Sequence, residues 1–109
     1  MSAVSKGRDF ENFCCKQLEE MGYHIAFKSV RVRFGSIDFD GVWDIVAMKR
    51  TSPAEVVWLY VQCKSERLYG KKKQPLIDWK QKWGFAGINC AVAVKKKIKG
   101  RTAVEWHML

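Results

Sequence analysis

Two polar side chains lie two positions apart at the end of an apolar run. The run covers residues 56–64, and its β-branched and aromatic residues predict a strand that crosses the middle of a sheet. Because successive side chains of a strand alternate between its faces, Gln62 and Lys64 share one face with Trp58 and Tyr60. We therefore expect Gln62 and Lys64 to be neighbours in a polar cluster at the edge of the core.

A single carboxylate, Asp44, interrupts a second apolar run at residues 42–48. An ionised carboxylate in a buried run needs a partner, and either a metal ion or the ammonium group of Lys64 would supply one. With a metal ion the cluster would be a catalytic or binding site. With Lys64 alone it would be a cross-strand ion pair, which contributes little to stability when it is exposed.

A second acidic residue, Glu11, lies on a predicted amphipathic helix. Phe10, Phe13, Cys14 and Leu18 recur at helical spacing and predict a helix over residues 6–21. Glu11 is one helical step from Cys14 and is expected at the boundary between core and solvent, where it could reach the polar cluster. The alternative role is structural, because a glutamate near the start of a helix favours the positive end of the helix dipole.

The remaining elements would position these side chains. Residues 23–34 predict a first strand, residues 35–41 a turn-rich loop, and residues 49–55 a hairpin connection. Asp38 and Asp40 have the spacing of an Asp-x-Asp pair of metal ligands, but the loop lacks the remaining positions of a calcium loop, so we take both as turn formers. Pro75 opens a second helix that ends at Gly84, residues 88–94 predict a buried strand, residues 95–101 reverse the chain, and residues 102–107 predict a last strand. The order α-β-β-β-α-β-β predicts an α/β fold with helices packed on a mixed sheet.

The positive charge is concentrated in the second part of the chain. Residues 1–66 contain nine basic and nine acidic residues, whereas residues 67–109 contain eleven basic and two acidic ones, which accounts for the whole net charge of +9. Such a one-sided field favours a polyanion, most simply a nucleic acid, and less simply an anionic membrane surface. A solvated face that only aids solubility is the alternative.

Length and cysteine usage narrow the class of protein. The 109 residues are enough for one domain, residues 1–109, and no apolar run has the length of a membrane span or the pattern of a signal peptide. We therefore expect no membrane partner. The four cysteines lack the paired spacing of a zinc site and three occupy apolar positions, as expected for reduced thiols in an intracellular, cytoplasmic protein.

Taken in order, Glu11 on the first helix, Asp44 on the second strand and Gln62-Cys63-Lys64 on the third resemble the PD-(D/E)XK nuclease superfamily. The opening at residues 6–11 and the strand at residues 43–47 are most similar to archaeal-type Holliday junction resolvases and related phage or viral nucleases. The resemblance covers residues 5–94. It implies a restriction-endonuclease-like αβββαβ core with a mixed central sheet flanked by helices.

The resemblance also implies a role for each residue of the cluster. Asp44 would be the principal ligand of Mg²⁺, for which Mn²⁺ would substitute, together with the side-chain oxygen of Gln62 and the backbone carbonyl of Cys63. Glu11 would hold a metal-bound water, and Lys64 would orient the attacking water or neutralise developing charge. The chain departs from the family at Gln62, where the usual residue is an acid, so the site has one negative charge fewer to hold the ion.

The implied activity is that of a Mg²⁺-dependent DNA endonuclease that is selective for branched structures and acts as a homodimer. Our own hypothesis is that the dimer forms through the helix that carries Trp79 and Trp83. If phage or virus encoded, it would act in the host cytoplasm. Two alternatives stay open: a non-catalytic nucleic-acid-binding protein on a nuclease fold, and a general DNA nuclease without junction preference. The expected nucleic-acid-binding residues, mostly phosphate contacts, are Arg8, Arg31, Arg33, Ser36, Lys71, Lys72, Lys73, Lys95, Lys96 and Lys97.

Overall fold

The computed structural model describes residues 3–33, 35–65, 70–84 and 87–109, without the side chains of residues 3–7, 31 and 36. Two α-helices, seven β-strands and one 3₁₀ turn (Gly70–Lys72) occur in these ranges. The helices are α1 (Ala3–Glu20) and α2 (Gln74–Trp83), and the strands are β1 (His24–Lys28), β2 (Val30–Val32), β3 (Gly35–Ile37), β4 (Ile45–Ser52), β5 (Glu55–Lys64), β6 (Ile88–Ile98) and β7 (Arg101–Met108).

Five strands form one mixed sheet in the order β1-β4-β5-β6-β7. All neighbouring pairs are antiparallel except β5 and β6, which run parallel. A parallel pair requires a crossover connection, and α2 lies in the segment that joins these two strands. The start of β4 and the ends of β1 and β5 therefore lie at one end of the sheet, which we call the site end. β2 and β3 form a separate two-stranded sheet.

Alternation along the strands divides the core between two faces of the sheet. Leu59 and Val61 of β5 pack with α1, in a cluster with Cys14 and Leu18, whereas Tyr60 packs on the other face against the cluster that α2 supplies. The predicted division of β5 between its two faces is confirmed. The two helices lie on opposite faces, and the α2 face is rich in aromatic contacts between Trp43, Tyr60 and Trp79.

Three of the predicted elements were wrong in their extent. The hairpin connection predicted over residues 49–55 is shorter, because β4 continues to Ser52 and β5 begins at Glu55, and Asp44 lies one residue before β4 rather than within a strand. The single strand predicted over residues 23–34 is broken at Ser29, whose backbone N–H donates to the Asp44 carbonyl and whose hydroxyl donates to Asp38. The chain then starts the small β2–β3 hairpin, and β3 occupies part of the predicted loop. The helix α1 begins at Ala3 rather than at residue 6 and ends one residue earlier than predicted.

The lysine run was also assigned to the wrong element. Lys95, Lys96 and Lys97 lie in β6, paired with β7, instead of in a turn. The reversal is confined to Lys99 and Gly100, whose φ angles of 52° and 79° are those of a two-residue hairpin turn, in which glycine is favoured. Cross-strand pairing with β7 therefore makes this segment a strand, although its polar sequence alone predicts a turn.

The architecture is a mixed α/β fold of a five-stranded sheet and two helices, as the order of elements predicted at this level. Within the described part of the chain, no helix is both long enough and apolar enough to cross a membrane.

Candidate functional site

Asp44, the residue just before β4, is fixed against β5 at the site end. Its backbone N–H donates to the Val61 carbonyl at 2.9 Å, and its Oδ2 accepts the Cys63 N–H at 2.7 Å. In an extended strand the N–H and C=O of one residue point to the same neighbouring strand. The Cys63 carbonyl therefore also points to the side of Asp44, as its predicted role as a backbone ligand requires.

The environment of Asp44 is acidic and poorly hydrated. Burial, with only 7% of the residue exposed, raises the pKa of Asp44 to about 7 although the Cys63 N–H bond lowers it. The negative charges of Glu11 and Asp38 raise this pKa further, and the positive charge of Lys64 lowers it. Glu11, Asp38 and Lys64 thus each lie close enough to Asp44 to influence its ionisation.

Glu11 is buried, with 2% of its surface exposed, so its expected place at the boundary with solvent is wrong. It follows Phe10 and precedes Cys14 and Cys15 on the stripe of α1 that packs on the sheet, and that stripe determines which way Glu11 points. Because α1 begins at Ala3, Glu11 is more than two turns from the helix start. The helix dipole acts within the first turn, so this structural role no longer accounts for the glutamate.

Gln62 and Lys64 are in contact on the α2 face, as the alternation of β5 predicted. In the amide orientation that satisfies both of its groups, Gln62 donates through Nε2 to the Val42 carbonyl and accepts through Oε1 from Lys64 Nζ at 3.2 Å. The oxygen assigned to the metal is therefore engaged by Lys64. For Gln62 to act as a ligand, the ammonium group has to move away or share that oxygen.

Asp38 lies close enough to the site to act on Asp44, although its sequence context favoured a turn former over a metal ligand. It accepts a hydrogen bond from Ser29, and its charge acts on Asp44. Asp40, two residues later, instead accepts from Trp79 Nε1 at 2.8 Å and so ties the loop to α2. The Asp-x-Asp spacing was the available signal. It could not reveal which aspartate faces the site, because a backbone bridge between Phe39 and Trp43 sets the direction of the loop.

The oxygen donors at the site fit a hard divalent cation. The described residues include no group of three or more His, Cys, Asp or Glu side chains arranged to hold a metal ion. Glu11, Asp44 and the Cys63 carbonyl nevertheless present only oxygen, the donor that Mg²⁺ prefers, and Mg²⁺ accepts few protein ligands because it retains water. A cation would also offset the charge that accumulates when these buried acids ionise.

The cysteine thiols are packed in the core and are poorly suited to act as nucleophiles. All four cysteines are free, and Cys14, Cys15 and Cys90 are buried. Burial raises the pKa of Cys15 to about 11. A hydrogen bond with Cys14, followed by burial, raises the pKa of Cys63 well above its usual value. Thiols held in this form are weak nucleophiles at neutral pH, so Cys63 would serve the site through its backbone.

The expected nucleic-acid-binding residues are spread over several elements. Arg8, Arg33, Lys71, Lys72, Lys96 and Lys97 are exposed, and Lys73 and Lys95 are half-buried. Lys96 forms an ion pair with Glu105, and Lys97 Nζ donates to Thr102 Oγ1 at 3.4 Å. Arg31 and Ser36 pair through their backbones in the β2–β3 hairpin, and their side chains lie outside the described residues.

The tryptophans of α2 have different environments. Trp79 is buried in the core cluster of its face, whereas Trp83 is 51% exposed. Only Trp83 remains available to a second subunit.

Comparison of the chain with protein-family models, with curated proteins and with solved structures finds no match.

Proposed function

We propose that this chain is a Mg²⁺-dependent DNA endonuclease with a restriction-endonuclease-like αβββαβ core. The observation that carries the proposal is the convergence at the site end: the Asp44 carboxyl is held by the Cys63 N–H and lies within the electrostatic reach of Glu11 and Lys64. Glu11 comes from α1, Asp44 from the residue just before β4, and Cys63 and Lys64 from the end of β5, which is the order of elements that the resemblance implies.

Each side chain has a defined part in this proposal. Asp44 and the Cys63 carbonyl would hold the ion, with Glu11 behind them, and Mg²⁺ when bound would polarise the scissile phosphate and activate water. Lys64 Nζ would stabilise negative charge that develops on the phosphate. The buried surroundings strengthen every such interaction because the effective dielectric constant is low.

The proposed substrate is DNA, including branched DNA, and the proposed active form is a homodimer. A four-way junction presents two symmetric strands, so a two-fold dimer would place one site at each. Trp83 is half-exposed on α2, and a groove of about 560 Å³ that is lined by Ile77, Met108 and Leu109 lies along the same helix. A sedimentation experiment in which the protein stays monomeric at micromolar concentration would argue against this dimer.

One observation favours a second function, that of a non-catalytic nucleic-acid-binding protein on the same fold. Lys64 Nζ occupies the Gln62 oxygen at 3.2 Å, so the site as described has a satisfied polar pair where a metal ligand would be required. Gln62 also lacks the charge of the acid usual in the family, which weakens attraction for a cation.

Cleavage of a labelled four-way junction beside its linear duplex, in Mg²⁺ and in Mn²⁺, separates these functions. Paired symmetric cuts that disappear in Lys64→Ala, but persist in the exposed control Lys16→Ala, would support a junction resolvase. Equal cutting of both substrates would support a general nuclease. Tight binding without cutting of either would favour the binding protein.

Calorimetry of Mg²⁺ binding tests the metal separately from the chemistry. The wild type should bind the ion, Asp44→Ala should not, and Asp78→Ala should bind as the wild type does because Asp78 is exposed on α2 and pairs with Gln74. Absence of binding by the wild type, even with DNA present, would refute the nuclease proposal.

A further inference from the structure

A two-stranded arm projects from the site end of the sheet. The pairing of β5 with β6 ends where Lys64 faces Val94, whereas β6 continues to Ile98 paired only with β7 in the described part of the chain. We call residues 95–104 the arm. At about 3.3 Å per residue, the four residues beyond Val94 extend the ribbon by about 13 Å past the end of β5.

The arm carries five cations and no acid within its ten residues. Ala93 belongs to the α1 face of the sheet and Val94 to the α2 face, so alternation places Lys95 and Lys97 on the first face and Lys96 on the second. Arg101 pairs directly with Ile98 and therefore shares the face of Lys96, while Lys99 lies in the turn. Lys96 forms an ion pair with Glu105 at the base of the ribbon, so the net positive charge of the second face comes from Arg101. Both faces and the tip of the ribbon are therefore positive.

This two-sided distribution discriminates between anionic partners. A flat anionic surface, such as a membrane, contacts one face of a ribbon and leaves the charges of the other face in water. The major groove of B-DNA is about 12 Å wide, admits a two-stranded ribbon and has phosphates along both walls, whereas the minor groove, about 6 Å wide, does not fit one without deformation. Cations on both faces match two phosphate walls.

Ile98 provides a second observation at the same place. It is 57% exposed, beside the turn and between cations. A single exposed apolar residue is common on protein surfaces, and what distinguishes Ile98 is its place among the cations at the end of the arm. Within a major groove, an apolar side chain contacts the methyl group of thymine and the edges of bases.

We propose that the arm inserts into the major groove of double-stranded DNA next to the candidate site, so that the substrate must be a duplex on the side of the site toward which the arm points. This inference rests on the proposed function for its ligand, DNA, but not on metal binding or cleavage. Phosphate contacts from Lys95, Lys97 and Arg101 would position the duplex, and Ile98 would contact the groove floor.

The first test is duplex binding at several salt concentrations in EDTA, where cleavage cannot occur. Each phosphate contact contributes about 0.9 to the slope of log K against log salt. Lys97→Gln/Arg101→Gln, which removes one cation from each face, should lower the slope by about 1.8 and weaken binding about 60-fold at about 0.1 M salt. Lys95→Gln/Lys99→Gln should act similarly if the first pair disturbs the hairpin.

The matched control is Lys16→Gln/Arg50→Gln, which removes two exposed cations on α1 and near the far end of the sheet. It should retain at least nine-tenths of the wild-type slope. Equal losses of slope and affinity in the arm and control variants would overturn the inference. Binding would then depend only on the net charge of the protein and not on the position of the cations. If the protein cleaves DNA but its arm variants bind duplex as the wild type does, the arm inference is refuted and the nuclease proposal stands. If the arm variants lose binding but the protein does not cleave, the nuclease proposal is refuted and the arm inference stands.

The second test identifies the groove. A duplex whose cytosines carry glucosylated hydroxymethyl groups has its major groove filled, and the wild type should bind it at least tenfold more weakly than the plain duplex. The arm variants should bind both duplexes alike. Undiminished wild-type binding to the filled duplex, or single-stranded DNA bound as tightly as duplex with the same slope, would overturn insertion into the major groove.

Discussion

Replacement of Asp44 by asparagine should make the metal-free protein more stable at neutral pH while it removes the principal proposed ligand. The carboxyl is buried beside Glu11 and Asp38, and its ionisation in that environment is unfavourable. Asparagine has the same shape, cannot ionise, and retains an oxygen to accept the Cys63 N–H. The substitution therefore removes a charge without opening a cavity.

The magnitude follows from the difference in pKa between the two states. The pKa of Asp44 rises from 3.8 when unfolded to about 7 when folded. Below pH 3.8 both states hold the proton. Above it only the folded state does, so the free energy of unfolding falls by about 1.4 kcal/mol per pH unit. The stabilising contribution is thus lost as the pH rises to about 7, about 4 kcal/mol in all, and about 3 kcal/mol of it between pH 5 and 7.

The assay is urea unfolding in EDTA from pH 5 to pH 8 for the wild type, Asp44→Asn and the exposed control Asp78→Asn. The difference between the wild type and Asp44→Asn should grow in favour of the variant as the pH rises, up to about 4 kcal/mol. Asp78→Asn should follow the wild type at every pH, since its carboxylate is exposed on α2.

Parallel pH profiles for the wild type and Asp44→Asn would refute this reasoning. If Glu11→Gln flattened the profile instead, the proton would belong to Glu11, and the assignment to Asp44 would be wrong. Binding of the metal provides an independent test at pH 8. Mg²⁺ at a hundred times its Kd should stabilise the wild type by about 2.7 kcal/mol and leave Asp44→Asn unchanged.

Two further substitutions test the ligand set and the packing of α1. Gln62→Glu restores the acid usual in the resembled family and should tighten Mg²⁺ binding at least tenfold by calorimetry; unchanged affinity would mean that Gln62 lies outside the ligand set. Leu18→Ala, at a position with no exposed surface, should cost about 2–5 kcal/mol in urea unfolding, whereas the exposed Lys16→Ala should cost less than about 0.5 kcal/mol. Similar losses for both would contradict the docking of α1 on the sheet.

The strand that carries Gln62 and Lys64 was predictable because its pattern has one solution. The alternation of side chains over residues 56–64 fixes which of them share a face, and a one-residue slip would move Leu59 and Val61 from the α1 face to the α2 face. The second helix was equally accessible, since Pro75 lies in its first turn and Gly84 follows its last residue.

The burial of Glu11 and the role of Asp38 could not be derived from local pattern. Helical spacing places Glu11 on the flank of a stripe, but the angle at which α1 docks decides whether that flank is covered. Asp38 lies in a loop whose direction depends on the Phe39–Trp43 bridge and on the bond from Trp79 to Asp40, contacts that link distant parts of the chain. Similarly, the lysines of β6 resemble a turn until β7 is placed beside them.

The acidic cluster helps to weigh the two candidate functions against each other. A DNA-binding protein without a metal has no use for buried carboxyls near its ligand, since carboxylates repel phosphate. The Asp44 carboxyl alone is associated with about 4 kcal/mol at neutral pH, a large share of the 5–15 kcal/mol that stabilises a typical domain. A metal ion would convert this unfavourable concentration of charge into a binding site. The cluster therefore favours the nuclease, and the contact of Lys64 with Gln62 becomes the feature that metal binding would have to change.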